Sequence, residues 1–277
     1  MIDYLAIGHV SQDVVVGSRP RRYTPGGSVT FAGRTAQAWG RRTAVLTSAA
    51  PDFNLAAALP GVEVVCVPSP MTTTFENVYL PEGRQQWLEG AAMELSAESL
   101  PPHWLSARLI HLAPVLHEIP LTLLQAFPST AWLGLTPQGF LRAWDAAGRV
   151  FPAGWDQAAQ FLPRLAAVVL SQEDLPDLGH LALWRRWVSV LVMTQGAGGC
   201  TLFLGEESRH IPAPTVVECN PTGAGDIFAA AFFINLQAHG NAWEAARQAN
   251  WVAAHSVTMD SLAEKMAIVQ AEAPVRI

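Results

Sequence analysis

Asn220-Pro-Thr-Gly-Ala-Gly-Asp226, followed at once by the apolar run Ile-Phe-Ala-Ala-Ala-Phe-Phe, is the segment of this chain whose residue types and spacing most narrow its chemistry. Two glycines let a strand turn tightly into a helix, so the N–H groups of Gly223, Ala224 and Gly225 can face outward as an anion hole for a phosphate. A carboxylate follows one residue beyond that cradle. Phosphoryl transfer to an alcohol needs donors that stabilise the moving phosphate and a base that takes the hydroxyl proton, and Asp226 is the candidate base. The same spelling also reads as an ordinary glycine turn, with Asp226 favoured in a first helical turn by the helix dipole.

Elements that could position this turn lie on both sides of it. Ile2 to Gly8 and Thr43 to Ser48 read as short buried strands flanking a helix from Ser28 to Trp39 that is entered through Gly26-Gly27. Val62 to Val67, Thr73 to Leu80 and Gln85 to Gly90 are bounded by Pro-Ser-Pro and Pro-Glu-Gly turns, which fits antiparallel strands or sheet extensions, some of them forming a lid. Strands near Leu109–Leu112, Ala131–Leu135, Ala167–Leu170 and Val188–Met193 are separated by segments long enough for crossover helices. Cys200–Leu204 and Arg209–Ile211 read as a hairpin leading to the phosphate turn, and helices follow over 224–238, 242–257 and 261–271. The alternation predicts a mostly parallel sheet with helices on both faces. Ligands of such sheets bind beyond the carboxyl ends of the strands, so the two glycine turns are expected to share one cleft.

Composition removes several other classes. At 277 residues, half of them hydrophobic and only 14% charged, the chain reads as a single globular domain over 1–277. A formal charge of −6 argues against nucleic acid as a partner, and no apolar stretch reaches membrane-span length. The acidic N-terminal stretch reads as a first strand and not as a leader, which makes a cytoplasmic location the default. Cys66, Cys200 and Cys219 form no paired motif and read as buried apolar residues, while His9, His111, His117 and His255 show no metal spacing. Lys265 is the only lysine, so no P-loop exists, and neither glycine turn completes G-x-G-x-x-G, which disfavours a nicotinamide-dependent oxidoreductase.

Gly26-Gly27, Thr194-Gln-Gly-Ala-Gly-Gly199 and the turn ending in Asp226, in that order, make the whole chain resemble the ribokinase-like, or PfkB, carbohydrate kinases. The resemblance implies a three-layer αβα fold with a mostly parallel central sheet and a small β lid, built here from parts of 13–25 and 68–95. It implies MgATP as donor and a hydroxyl of a small sugar or polyol as acceptor. Asp13, in a Gly-x-x-x-x-Asp pattern from Gly8, would grip acceptor hydroxyls with Gly26 and Gly27 beside it; a carboxylate can accept two such bonds at once. Thr194, Gly196 and Gly199 would face the nucleotide, and Asn250 would flank adenine. Ser171-Gln-Glu-Asp174 stands in place of the family's Asn-x-x-Glu, so Asp174 or Glu173 would help organise Mg²⁺ through water. The acidic pair equally reads as the start of a helix capped by Ser171.

Two departures from the family pattern bear on the substrate and on cation use. Asn220 replaces an Asp that in some members supports a monovalent-cation site, so potassium activation is not carried over. Phe31 replaces a substrate-binding Asn, giving the pocket an apolar wall and disfavouring ribose or adenosine. With the Thr72-Thr73-Thr74 stretch, Gln138 and Arg142, it resembles the inositol-kinase-like branch. Gln138 and Arg142, four apart, are expected to share a helix face and aim an amide and a guanidinium at one ligand. A lid strand could also pair between subunits as a homodimer contact. The alternative reading, motivated by Asn220 and Phe31, is a non-catalytic sensor that keeps the fold.

Overall fold

The computed structural model describes residues 1–15, 23–80 and 83–274. The apolar runs read from the sequence are strands buried on both faces. In β1 (Tyr4–Ile7) every residue is buried; Tyr4 and Ala6 join one hydrophobic cluster, Leu5 and Ile7 the other. This is the period-two alternation of a strand with two apolar faces, the pattern of a sheet covered on both sides.

The remaining elements, in chain order, are β2 (Ser11–Val15), β3 (Tyr23–Gly26), α1 (Ser28–Ala38), β4 (Thr43–Ala49), α2 (Leu55–Ala58), β5 (Glu63–Pro68), β6 (Thr73–Leu80) and β7 (Gly83–Gly90). Then come β8 (Ile110–Leu112), α3 (Leu121–Gln125), β9 (Leu133–Leu135), β10 (Arg142–Trp144), β11 (Val150–Pro152), α4 (Ala158–Phe161), β12 (Ala167–Ser171) and α5 (Gly179–Trp184). The chain continues through β13 (Val190–Thr194), β14 (Cys200–Leu204), β15 (Glu207–Ile211), α6 (Ala224–His239), α7 (Ala242–Ser256) and α8 (Leu262–Ala271).

Nine strands form the central sheet in the order β15-β14-β13-β12-β9-β8-β1-β4-β5. All pairings from β13 across to β5 are parallel; β14 and β15 are antiparallel additions at one edge. One face carries the long helices α1, α6, α7 and α8. The helix α6 is buried from Ile227 to Leu236, because it lies between the sheet and its neighbours α1 and α7. It ends at Gly240 in the left-handed conformation, φ 69°.

On the other face the expected crossover helices shrink to α3, α4, α5 and single 3-10 turns. Pro114, Pro120, Pro128, Pro137, Pro163 and Pro176 fall through these connections and remove helical hydrogen bonds, so the layer is filled by side chains and not by long helices. Phe140, Trp155, Phe161 and Trp184 supply it, with the Phe140 and Trp155 rings stacked at 4.6 Å.

A second sheet, β3-β2-β6-β7, stands apart from the central one. It pairs β2 with β6 in parallel, Asp13 opposite Phe75, whereas β2–β3 and β6–β7 are antiparallel. The expected lid strands are therefore present as a mixed sheet, while residues 16–22 and 81–82 of the lid segments lie outside the described residues. The segment 62–67 is instead the parallel edge strand of the central sheet, paired to β4. Of the three cysteines expected in the core only Cys200 is buried; Cys66 is half-buried and Cys219 exposed. Among the described residues no helix is long and apolar enough to cross a membrane.

Candidate active site

The site is assembled at the carboxyl ends of the parallel strands, where loops after β1, β9, β12 and β13 meet the starts of α1 and α6. Gly223 caps α6 with φ 80°, and a Cβ on it would fall 2.1 Å from Cδ1 of Phe31. The bare glycine lets α1 and α6 touch, and the Phe31 ring lies on the phosphate turn. Phe31 is only 5% exposed, so it supports that turn from within the core and does not stand open as the apolar pocket wall expected from the sequence.

Helix contact places Ser28, the first residue of α1, on Asp226 in the first turn of α6, where the two side chains are hydrogen-bonded. Asp226 keeps some solvent contact yet lies deep among protein groups. Burial pushes its carboxyl up to about 6; the Ser28 bond and the Arg142 guanidinium oppose this, and the negative charges of Asp174 and Asp13 reinforce it. A carboxylate in that range is matched to accept a proton near neutral pH. The electrostatic coupling also shows that Asp13, Asp174 and Arg142, far apart in sequence, surround Asp226.

Asp13 sits in β2 opposite Thr24. A Cβ on Gly26 would come within 2.4 Å of the Asp13 Oδ2, so glycine is what lets this carboxylate lie against the entrance of α1. Gly27 is the N-cap residue of α1. Gly26 thus lies against Asp13, whose charge acts on Asp226 beyond the second glycine turn.

In the anion turn, the Ala224 amide donates to the Pro221 carbonyl at 3.1 Å. That donor, counted in the expected anion hole, is engaged within the turn. The Gly223 and Gly225 amides have no acceptor among the described residues, and a Cβ on Gly225 would meet nothing within 4 Å. The predicted cradle therefore opens on free space with Gly225 at its rim. The turn itself is tightly tied: Asn220 Oδ1 accepts from the Thr222 amide at 2.9 Å, Asn220 Nδ2 donates to the Asp260 carbonyl at 2.8 Å, and Lys265 Nζ donates to the Asn220 and Thr222 carbonyls. Lys265 was singled out in the sequence only for being solitary, and nothing local in its helix signals this contact.

Gln138 and Arg142 do not share a helix. Gln138 lies in the 3-10 turn Pro137–Leu141, and Arg142 opens β10, because the turn cannot continue past the stretch that pairs with β11. They still converge on the site by separate routes. Gln138 Nε2 donates to Asp174 Oδ1 at 3.2 Å, while Arg142, 9% exposed, donates to the Val115 carbonyl and lies over the Phe75 ring.

Asp174 is also a cap. Its Oδ2 accepts from the Ser171 amide at 3.3 Å and Ser171 Oγ accepts from the Glu173 amide, so both readings of this acidic pair meet in one turn. Glu173 is exposed. No group of three His, Cys, Asp or Glu side chains among the described residues could hold a metal ion. Magnesium keeps most of its waters and is gripped chiefly by substrate phosphates, so a single, already hydrogen-bonded Asp174 fits contact through water.

Thr194 ends β13 and donates to the Leu170 carbonyl, and the Gln195 amide closes the loop on the Gly199 carbonyl at 2.8 Å. Gly196 and Gly199 hold positive φ at 55° and 97°. Asn250 is placed elsewhere than expected. It is 5% exposed and its Nδ2 donates to Cys200 Sγ and to the Ile211 carbonyl, which ties α7 to the β14–β15 hairpin. An open depression of about 480 Å³ between Leu88–Ala91 and Trp144–Gly148 does not include Asp226.

With this geometry in place, residues 165–267 match the family described as pfkB family carbohydrate kinase. Over that stretch the chain is similar to the pfkB carbohydrate kinases. The match contains β12, the Thr194–Gly199 loop, the anion turn and Lys265. Inositol 3-kinase of Zea mays is 36% identical over 123 residues, which cover 44% of this chain and 32% of that protein. The chain thus spans about a third of the length of that curated relative, and 25% of its counterpart in Oryza sativa. A solved sulfate complex of a pyrophosphate-dependent kinase in the ribokinase family superposes with TM-score 0.83 at 24% identity, covering 98% of this chain and 100% of that one. Another structure of such a kinase, complexed with a pyrophosphate analog and myo-inositol, gives TM-score 0.80 at 24% identity over 95% and 99%. The chain therefore has the ribokinase fold.

Two outcomes follow for this site. Asn250→Ala should lower Tm, because it strands the Ile211 carbonyl at a cost of about 1–3 kcal/mol, and should leave the KM for the phosphate donor unchanged; a raised donor KM would return Asn250 to the nucleotide face. Asp226→Asn should raise Tm at about pH 8, because the folded chain holds this carboxyl above its unfolded value of about 3.9 and ionising it opposes folding. The gain should fade below about pH 4, where folded and unfolded chains both keep the proton. A Tm that falls at about pH 8 would show that the carboxylate stabilises the fold.

Proposed function

We propose that this protein is a MgATP-dependent kinase that phosphorylates a hydroxyl of a small sugar or polyol, with a cyclic polyol such as an inositol as the favoured class. The observation that carries the reading is the position of Asp226: it lies within the first turn of α6, hydrogen-bonded to the start of α1 and electrostatically coupled to Asp13. A base so placed serves an acceptor held near Asp13 and Gly26-Gly27 and a donor phosphate held at the turn before α6.

In the proposed step the acceptor oxygen attacks the terminal phosphorus, its proton passes to Asp226, and the bond from that phosphorus to the bridging oxygen breaks, leaving ADP with the electron pair. Gly223 and Gly225 amides and the start of α6 stabilise charge on the moving group. Asp13 grips acceptor hydroxyls, and Arg142 balances the three neighbouring carboxylates. Magnesium, when bound, neutralises phosphate charge, with Asp174 as its water-mediated contact and Glu173 nearby on the exposed side of the turn. Thr194, Gly196 and Gly199 border the donor on its far side. Most of the rate enhancement comes from positioning and electrostatics, since phosphoryl transfer asks little covalent work of the protein.

Pyrophosphate is the rival donor. The two solved kinases described above are pyrophosphate-dependent, and the Asn250 amide nitrogen is committed to the β14–β15 hairpin. Both donors end in the same diphosphate, which the turn would grip alike. Purified protein with Mg²⁺, either donor and a panel of sugars, inositols and nucleosides separates the readings: ADP formed with a polyol supports ATP, phosphate released from pyrophosphate supports the rival, and no transfer from either supports a sensor.

Asp226→Asn should lower kcat by about 100- to 10,000-fold with donor affinity nearly intact. In the parent enzyme kcat/KM should rise with pH through about 6 as Asp226 loses its proton. Asp174→Asn should move that limb to lower pH by removing a like charge, and Arg142→Met should move it higher; a limb that ignores both would dissociate it from Asp226. Gly225→Val should fold normally, since the space beside Gly225 is open, and should weaken donor binding by filling the phosphate cradle. Unchanged donor KM in that variant would count against the cradle.

A further inference from the structure

Lys265 is the only lysine of the chain, and the fold buries it to 1% exposure. It leaves the first turn of α8, an end fixed by the Ser261–Glu264 capping box, and reaches the turn before α6. There its ammonium donates to the Asn220 carbonyl at 2.6 Å and to the Thr222 carbonyl at 2.7 Å. These are short, charge-assisted bonds.

Peptide planarity gives this contact a direction. The Thr222 carbonyl and the Gly223 N–H belong to one trans peptide unit and point opposite ways. A cation that holds the carbonyl on one side fixes the N–H on the other, where the donor phosphate is proposed to sit. The Asn220 carbonyl belongs to the peptide bond of Pro221, which has no N–H, so that bond anchors the turn and orients no donor. Asn220 completes the fixture as a neutral bridge, accepting from Thr222 and donating to Asp260.

We propose that Lys265 is a built-in cation for the phosphate turn, a positioning residue whose ammonium does what a carbonyl-bound potassium ion would do, so that transfer needs no added monovalent cation. An ammonium and a potassium ion share the needed chemistry, a single positive charge ligated by backbone carbonyl oxygens. The amide at 220 fits the same logic: with a cation bonded covalently to the chain, no carboxylate is required to recruit one. Burial lowers the Lys265 ammonium to about 8, while Asp260, Cys219 and Glu218 pull it upward, so it keeps its charge at neutral pH.

The proposal rests on the kinase reading, and inorganic pyrophosphate as a binding probe keeps the two separable. The parent enzyme should bind pyrophosphate and turn over equally in potassium and in a bulky organic cation. Lys265→Ala should weaken pyrophosphate binding and kcat/KM for the donor roughly 10- to 100-fold, with the acceptor KM little changed. Added potassium or ammonium should restore both, and the bulky cation should restore neither; Lys265→Met, which keeps the packing but fills the space, should not be rescued. A parent enzyme that requires potassium overturns the proposal without any variant, as does failure to bind pyrophosphate, equal binding by the variants, or loss that small cations cannot restore. Pyrophosphate binding with cation rescue but no transfer to any acceptor would leave Lys265 in place and sink the kinase reading instead.

Discussion

The contact between Phe31 and the bare Cα of Gly223 is the constraint on which the site depends. It brings the starts of two helices together at the carboxyl edge of the sheet, one carrying Ser28 and the Gly26-Gly27 entry, the other carrying Asp226. Any side chain at 223 would overlap the ring and push α6 away from α1. Asp226, Gly26-Gly27 and the turn through Gly223 and Gly225 are therefore fixed relative to one another by core packing, and close-packed interiors transmit such placement with little slack.

Charge is arranged with the same economy. Asp13 and Asp174 both act on the Asp226 carboxyl, and one nearly buried guanidinium, Arg142, opposes them there. Burial, reinforced by the two neighbouring acids, keeps Asp226 proton-seeking, which suits a base, while the positive ends that would suit a phosphate come from backbone N–H groups and the start of α6. Lys265 meets that turn through the Asn220 and Thr222 carbonyls.

Much of the framework was legible in the residues. Tyr4–Ile7, Thr43–Ala49, Ala167–Ser171 and Val190–Thr194 are strands because continuous apolar runs of that length satisfy a sheet covered on both faces, and the last three helices began and ended near their expected caps. The connections were less legible. Prolines cut the helices of one layer to single turns, so Gln138 and Arg142 lost their common helix, yet the fold brought both to the site by other routes. Parallel pairing of β2 with β6 was likewise hidden, since register between strands that distant in sequence is set by what each packs against.

The sequence by itself determined the chemistry on offer: a glycine turn opening a helix, a carboxylate one residue on, a second glycine pair, and the apolar periodicities of a parallel sheet. These are local properties, fixed by φ freedom, side-chain chemistry and spacing. Tertiary structure alone decided which groups face one another. It drew Asn250 into the hairpin contact, put Phe31 beneath the turn, raised the Asp226 carboxyl through burial and neighbouring charge, and carried Lys265 across from α8 to two carbonyls. Desolvation and long-range contact depend on the folded neighbourhood, and no window of the chain contains that information.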